Sequence, residues 1–199
     1  VIGHEITHGF DDQGHDGINL KDWWTRTRSS TCGAKGRCII DQYSSRCIID
    51  QYSSFEVPDI NLHVNGILTQ GENIADNGGI KQAYQAYKTY LNKLGREEAY
   101  KTYLNKLGRE EKRLPGFERY NNEQIFFISF AQTWCGHTKP ETLIRQILTD
   151  PLIRQILTDP HSPYRYRVNG VVANQPEFTR AFGCPAGARM NPARRCSVW

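Results

Sequence analysis

The chain has 199 residues, 38 % of them hydrophobic and 23 % charged, with a formal net charge of +4. That balance suits one globular domain with its own core and excludes a disordered or fibrous chain. No run approaches the ~20 apolar residues that cross a bilayer, and 25 Lys and Arg against 21 Asp and Glu, spread along the chain, read as a solvated surface rather than a nucleic-acid or lipid-binding face.

The chain opens on His4-Glu5-Ile6-Thr7-His8. On a helix of about 3.6 residues per turn, His4 and His8 lie one above the other, so both imidazoles can reach one ion, and Glu5 sits one step round. That pattern predicts a zinc hydrolase: two neutral imidazoles hold the metal and the carboxylate takes a proton from the attacking water. The alternative is two histidines and a glutamate sharing an exposed face. A third ligand decides between the two.

Asp11-Asp12-Gln13-Gly14 and His15-Asp16-Gly17 read as a polar loop leading to Asp22-Trp23-Trp24. One of the two aspartates is a candidate for a bond near the zinc helix and a solvated turn is the equal alternative, so neither is assigned a role. Three unchanged tandem repeats follow: residues 37–45 recur at 46–54, 86–98 at 99–111, and 143–151 at 152–160. Their different periods exclude a solenoid. Inserting nine residues into a helix turns the following face by about 180°, and thirteen by about 220°, so each extra copy is expected to loop out. Three such copies read as errors of sequence assembly or exon joining rather than evolved structure. The six cysteines (Cys32, Cys38, Cys47, Cys135, Cys184 and Cys196) lack CxxC spacing, which favours disulfides in an oxidising compartment.

Phe55 to Leu68 mixes strand-like and turn-like residues. It leads into Gly71-Glu72-Asn73-Ile74-Ala75-Asp76-Asn77-Gly78-Gly79, read as the start of a helix running towards Tyr90. Here Glu72 and Asp76 share a face four residues apart. Glu72 completes a set of two His and one carboxylate with the fourth position left open, as catalytic zinc requires. Asp76 can accept the free N–H of a ligating imidazole and fix its tautomer. A surface helix carrying two acids is the alternative, and the paired motif at residues 4–8 weighs against it.

Asn121 to Trp134 is a strongly apolar helix, read mostly as core. Leu143 to Asp150 and its copy form a short helix stopped by Pro151 and Pro160. Next comes Asp159-Pro160-His161-Ser162-Pro163, a loop whose prolines hold His161 in place, then Tyr166-Arg167-Val168. A positioned histidine suits a group that meets developing charge; a loop histidine with an ordinary surface arginine is the alternative. Gln175-Pro176-Glu177 opens a last short helix to Phe182, and Pro185 to Trp199 reads as irregular, pinned by Cys196 and by burial of Trp199.

Five motifs in one order (His4 to Asp12, Gly71 to Gly79, Phe130-Ala131-Gln132-Thr133-Trp134-Cys135, His161-Ser162-Pro163 and Cys196-Ser197-Val198-Trp199) make the chain resemble the C-terminal catalytic part of the neprilysin and endothelin-converting-enzyme family of zinc metalloendopeptidases. The resemblance covers nearly the whole chain, and removing one copy of each repeat restores the family spacing. It implies a mainly helical, thermolysin-like zincin module with few strands, residues 1–199 being a C-terminal peptidase fragment. It implies one Zn²⁺ held by His4, His8 and Glu72, with Glu5 as general base and Asp76 orienting a ligand. It further implies that His161, oriented by Asp159, hydrogen-bonds the oxyanion, that Arg167 aligns the substrate, and that Val1 and Trp134 wall the pocket after the scissile bond. Cys38 or its copy Cys47 would pair with Cys196, and the partners of Cys135 and Cys184 would lie upstream of Val1. The implied substrates are short peptides cut before a hydrophobic residue, with no nucleic-acid partner. The implied location is extracellular, as a secreted form or the ectodomain of a single-pass type II membrane protein whose membrane segment precedes this stretch.

Overall fold

A computed structural model describes residues 1–9, 39–58, 61–93, 98–106, 108, 112–136 and 158–198. Seven helices and one short hairpin occur among them: α1 (Ile2–His8), α2 (Ile39–Ser53), β1 (Glu56–Val57), β2 (Leu62–His63), α3 (Gln70–Lys93), α4 (Glu98–Lys106), α5 (Asn122–Thr133), α6 (Tyr164–Ala173) and α7 (Pro176–Ala181). The mainly helical expectation holds. The strands pair antiparallel, Glu56 opposite His63 and Val57 opposite Leu62.

Helix α3 is the axis. Every residue from Asn73 to Ile80 is buried, so this stretch is packed on all sides rather than along one stripe. Its first half joins a core of Ile48, Tyr52, Val57, Val64, Ile74, Tyr166, Cys196 and Val198; its second half joins Ile80, Phe127, Val171 and Val172. The polar side chains of α3 between these two cores form the site. Helix α5 starts on a capping box, with Asn121 accepting from the Gln124 backbone and the Gln124 side chain accepting from the Asn121 backbone.

The short α1 is held against α3 by close backbone approach. A Cβ added at Gly79 would lie 2.7 Å from the His4 nitrogen, and one at Gly3 would lie 2.8 Å from the Gly79 carbonyl oxygen. Alanine at residue 79 would favour the helix by about 1 kcal/mol, but overpacking of this kind costs about 1–3 kcal/mol. Gly79→Ala is therefore expected to lower thermal stability slightly and to weaken zinc binding clearly, because the residue pushed away is His4. A melting curve beside a zinc titration checks both; unchanged zinc affinity would show that α1 adjusts freely.

The first repeat behaves differently from expectation. Helix α2 runs unbroken across the junction of the two copies, and the second copy supplies Ile48 and Tyr52 to the core. The extra copy lengthens α2 at its N-terminal end instead of looping out, so nothing downstream is turned. In the second repeat, the first copy ends α3 while the second forms α4 as a separate helix. The third repeat lies mostly outside the described residues, as do Asp11, Asp12, Cys32, Cys38 and Trp199.

The disulfide selects one of the two expected pairings. Cys196 bonds to Cys47, with Cα atoms 5.5 Å apart, and not to Cys38. Cys47, in the second copy, lies where α2 passes the C-terminal segment. Cys135 and Cys184 are free thiols.

One element went unread: α6, where the sequence suggested only a loop followed by Arg167. Val168, Gly170, Val171 and Val172 are poor helix formers, and tertiary packing overrides them. Val171 is fully buried and Gly170 lies under the Tyr52 ring.

Candidate metal centre

Two helices converge on one point. Helix α1 offers His4 and His8, and the first turn of α3 offers Glu72, within 4.8 Å of one another. The two Nε2 atoms are 3.0 Å apart, and Glu72 places Oε2 3.3 Å from His4 Nε2 and Oε1 3.4 Å from His8 Nε2. Three donors each about 2.0–2.1 Å from one ion at the corners of a tetrahedron lie about 3.3 Å apart. The three residues fit zinc.

The lone pairs are aimed as well as spaced. Asp76, one turn along α3, lies 2.8 Å from His4 Nδ1. An ionised carboxylate only accepts, so it holds the proton on Nδ1 and leaves Nε2 with its lone pair towards the cluster. Hydrogen bonds from His4 to Asp76 and then to Glu72, against the opposing effect of burial, push this imidazole up to about 9. A metal at Nε2 would take the place of the proton that His4 shares with Glu72.

Asp76 is itself buried and anchored. Arg167 on α6 donates to it twice, Nε to Oδ2 at 2.7 Å and Nη2 to Oδ1 at 2.8 Å, and reaches Glu72 Oε2 at 3.2 Å from Nη2. Burial opposes its charge, but the Asp76 bonds prevail and hold the guanidinium above its ordinary pKa. The Trp134 ring lies under it, 3.9 Å from the guanidinium carbon. Burial likewise opposes ionisation of Glu72, yet the His4 hydrogen bond and the charges of His161, His8 and Arg167 keep its carboxyl below the usual range. The carboxylate is thus kept ionised and ready to bind metal.

His161 faces the same cluster from the loop before α6, its Nε2 3.3 Å from Glu72 Oε1. Its other nitrogen is 2.7 Å from Asp159 Oδ1, which also accepts the His161 backbone N–H at 2.9 Å. Burial works against the Asp159 charge, and these two bonds from His161 overcome it and lower the carboxyl pKa.

Glu5 is exposed, one step round α1 from His4. Val1, His4, Asp76, Ile80, Phe130 and Trp134 line one cavity of about 990 Å³. Its walls are mostly apolar, and its size lies at the upper end of the ~300–1,000 Å³ of small-molecule sites. Of the residues singled out in the sequence, His4, His8, Glu72, Asp76, His161 and Arg167 meet at this centre, Val1 and Trp134 line the cavity beside it, and Glu5 lies on α1 with its side chain exposed. The Gly79 contact was missed, although two glycines in a helix interior, each costly there, signal close packing.

Comparisons with known proteins identify the family. Residues 1–198 match Peptidase family M13. The chain is 51 % identical to Neprilysin-1 of Caenorhabditis elegans over 202 residues and 42 % identical to human Neprilysin over 203. All of this chain is covered in both, and it spans 23 % of the length of each relative. A crystal structure of a zinc metalloprotease of Mycobacterium tuberculosis in complex with an inhibitor superposes with a TM-score of 0.71 at 32 % identity, over 100 % of this chain and 26 % of the other.

Proposed function

The chain belongs to Peptidase family M13, and from that premise we propose that it is the metal-binding part of a zinc endopeptidase that hydrolyses short peptides on the amino side of hydrophobic residues. The observation that carries this reading is the convergence of His4, His8 and Glu72, with Asp76 behind His4 and His161 aimed at the same point. One zinc ion per chain is the expected stoichiometry.

Bound zinc supplies Lewis acidity, which makes water a nucleophile near neutral pH and draws charge from a carbonyl oxygen. Glu5, free of the ligand set, takes the proton from the attacking water and later passes it to the leaving amine. His161 meets the charge that grows on the carbonyl oxygen. Since Asp159 retains the Nδ1 proton, donation from Nε2 requires the ring to carry both protons. Arg167 commits Nε and Nη2 to carboxylates, so Nη1 is the donor left for a substrate carbonyl. The apolar walls near Val1 and Trp134 take the hydrophobic side chain after the scissile bond.

An extracellular location accords with the Cys47–Cys196 disulfide. No helix among the described residues is long and apolar enough to cross a membrane.

A second reading is metal binding without turnover. It is favoured by one fact, that the relatives matched here are more than four times as long as this chain. Elemental analysis for zinc, run with cleavage of a short quenched fluorescent peptide, separates the two. One zinc per chain with cleavage abolished by a chelator is the expected result. Zinc without cleavage supports the second reading, and a chain that takes up no zinc overturns both.

A further inference from the structure

The Ser162 hydroxyl is fully buried and donates to Asn73 Oδ1 at 2.8 Å. Asn73, equally buried, follows Glu72 on α3, and Ser162 follows His161. One hydrogen bond thus joins the neighbour of a metal ligand to the neighbour of the proposed oxyanion donor, across 89 positions of sequence.

The direction of this bond is forced. The Thr69 hydroxyl donates to the Asn65 carbonyl at 2.9 Å, so its oxygen accepts from Asn73 Nδ2, also at 2.9 Å. That orients the Asn73 amide with Oδ1 towards Ser162, whose hydroxyl must donate. With Ser162, Asn73 and Thr69 all buried, no water can take over if one partner is lost.

Asp159 alone does not fix His161 in space. The His161 side chain is 44 % exposed and its close partner Asp159, 40 % exposed, sits on the same loop. Asp159 fixes the ring relative to the loop, but it moves with the loop. Two ties run from the loop to α3: the His161 Nε2 contact with Glu72 Oε1 at 3.3 Å, on a carboxylate that a metal would also claim, and the buried Ser162–Asn73 bond.

We propose that Ser162 is a positioning residue for His161: through Asn73 it locks the loop of residues 159–163 to α3, so that the His161 ring meets the same point as the ligands on α1 and α3. The catalytic consequence rests on the peptidase reading above; the positional one does not. Misplacing a reacting group by about 1 Å can cost on the order of 100-fold in rate, so a side chain that never touches substrate can still govern turnover.

The test uses the whole chain loaded with zinc, as wild type, Ser162→Ala, His161→Ala and the double variant. Imidazole ¹⁵N signals are read by NMR, with the His161 signal assigned by its loss in His161→Ala. In Ser162→Ala the His161 signal is expected to shift or broaden while those of His4 and His8 stay in place and zinc content is unchanged. The kcat is expected to fall by roughly 10- to 100-fold with a smaller change in KM, and the Ser162 substitution should cost nothing further once His161 is absent. An unmoved His161 signal overturns the proposal. So does an equal loss of kcat in both backgrounds, since a merely structural serine would act without regard to His161. Should Ser162→Ala fail to fold, Ser162→Cys keeps the shape with a weaker donor and is expected to displace the signal partway. If the wild-type chain does not cleave peptide, the peptidase reading fails and the NMR signals still decide the positional role.

Discussion

Glu5→Gln is expected to lower kcat for peptide hydrolysis by roughly 10²–10⁴-fold, the span that a positioned general base contributes, while zinc content stays at the wild-type level. Glu5 lies on α1 between the two histidines but outside the set formed by His4, His8 and Glu72. Its side chain is exposed, so glutamine disturbs no packing. Glutamine keeps the size and the hydrogen-bonding reach of glutamate and loses only the capacity to take a proton. Zinc analysis and peptide cleavage on the same preparation check this. Wild-type activity in the variant would remove Glu5 from proton transfer and leave His161 as the next titratable group at the centre. Joint loss of zinc and activity would instead make Glu5 a support of the metal site.

The part of this centre that sequence reveals is the part built by local geometry. His4 with His8, and Glu72 with Asp76, are pairs four apart on helices, and such pairs face one way whatever the rest of the chain does. The structure places each pair on one face, and the His4–Asp76 bond joins the two helices. What stayed hidden depends on contacts between distant segments. Helix α6 contradicts its own propensities and exists because Val171 and Val172 fill a core and Gly170 admits the Tyr52 ring. The Ser162–Asn73 bond joins two residues that look unremarkable beside their charged neighbours. Nor does sequence distinguish Cys38 from Cys47, since the copies around them are identical; only the path of α2 past the C-terminal segment does. Arg167 shows the same division. The family resemblance implied contact with substrate, whereas the structure adds its two bonds to the carboxylate that orients His4.

That last contact makes Asp76 the residue whose loss should cost most in stability. Its carboxylate, 1 % exposed, takes Arg167 Nε on one oxygen and both Arg167 Nη2 and His4 Nδ1 on the other. In Asp76→Asn, whichever oxygen becomes an amide nitrogen faces a donor, and Arg167 keeps its charge with only the 3.2 Å contact to Glu72 in partial compensation. Breaking a buried pair from one side costs about 3–5 kcal/mol, on the order of 10 °C in Tm for a domain of this size. Zinc affinity should fall by about 10- to 100-fold as well, because the His4 Nδ1–H then meets at best a neutral amide oxygen in place of a carboxylate. The two effects have different causes and can be separated. Removing both charges, as Asp76→Leu with Arg167→Met, takes away the uncompensated guanidinium and is expected to recover much of the stability. It cannot recover zinc affinity, since His4 still lacks its acceptor. Melting curves and zinc competition titrations on the single and double variants read these outcomes directly. Recovery of both in the double variant would show that Asp76 serves only to neutralise Arg167, and that the orientation of His4 is set by α1 alone.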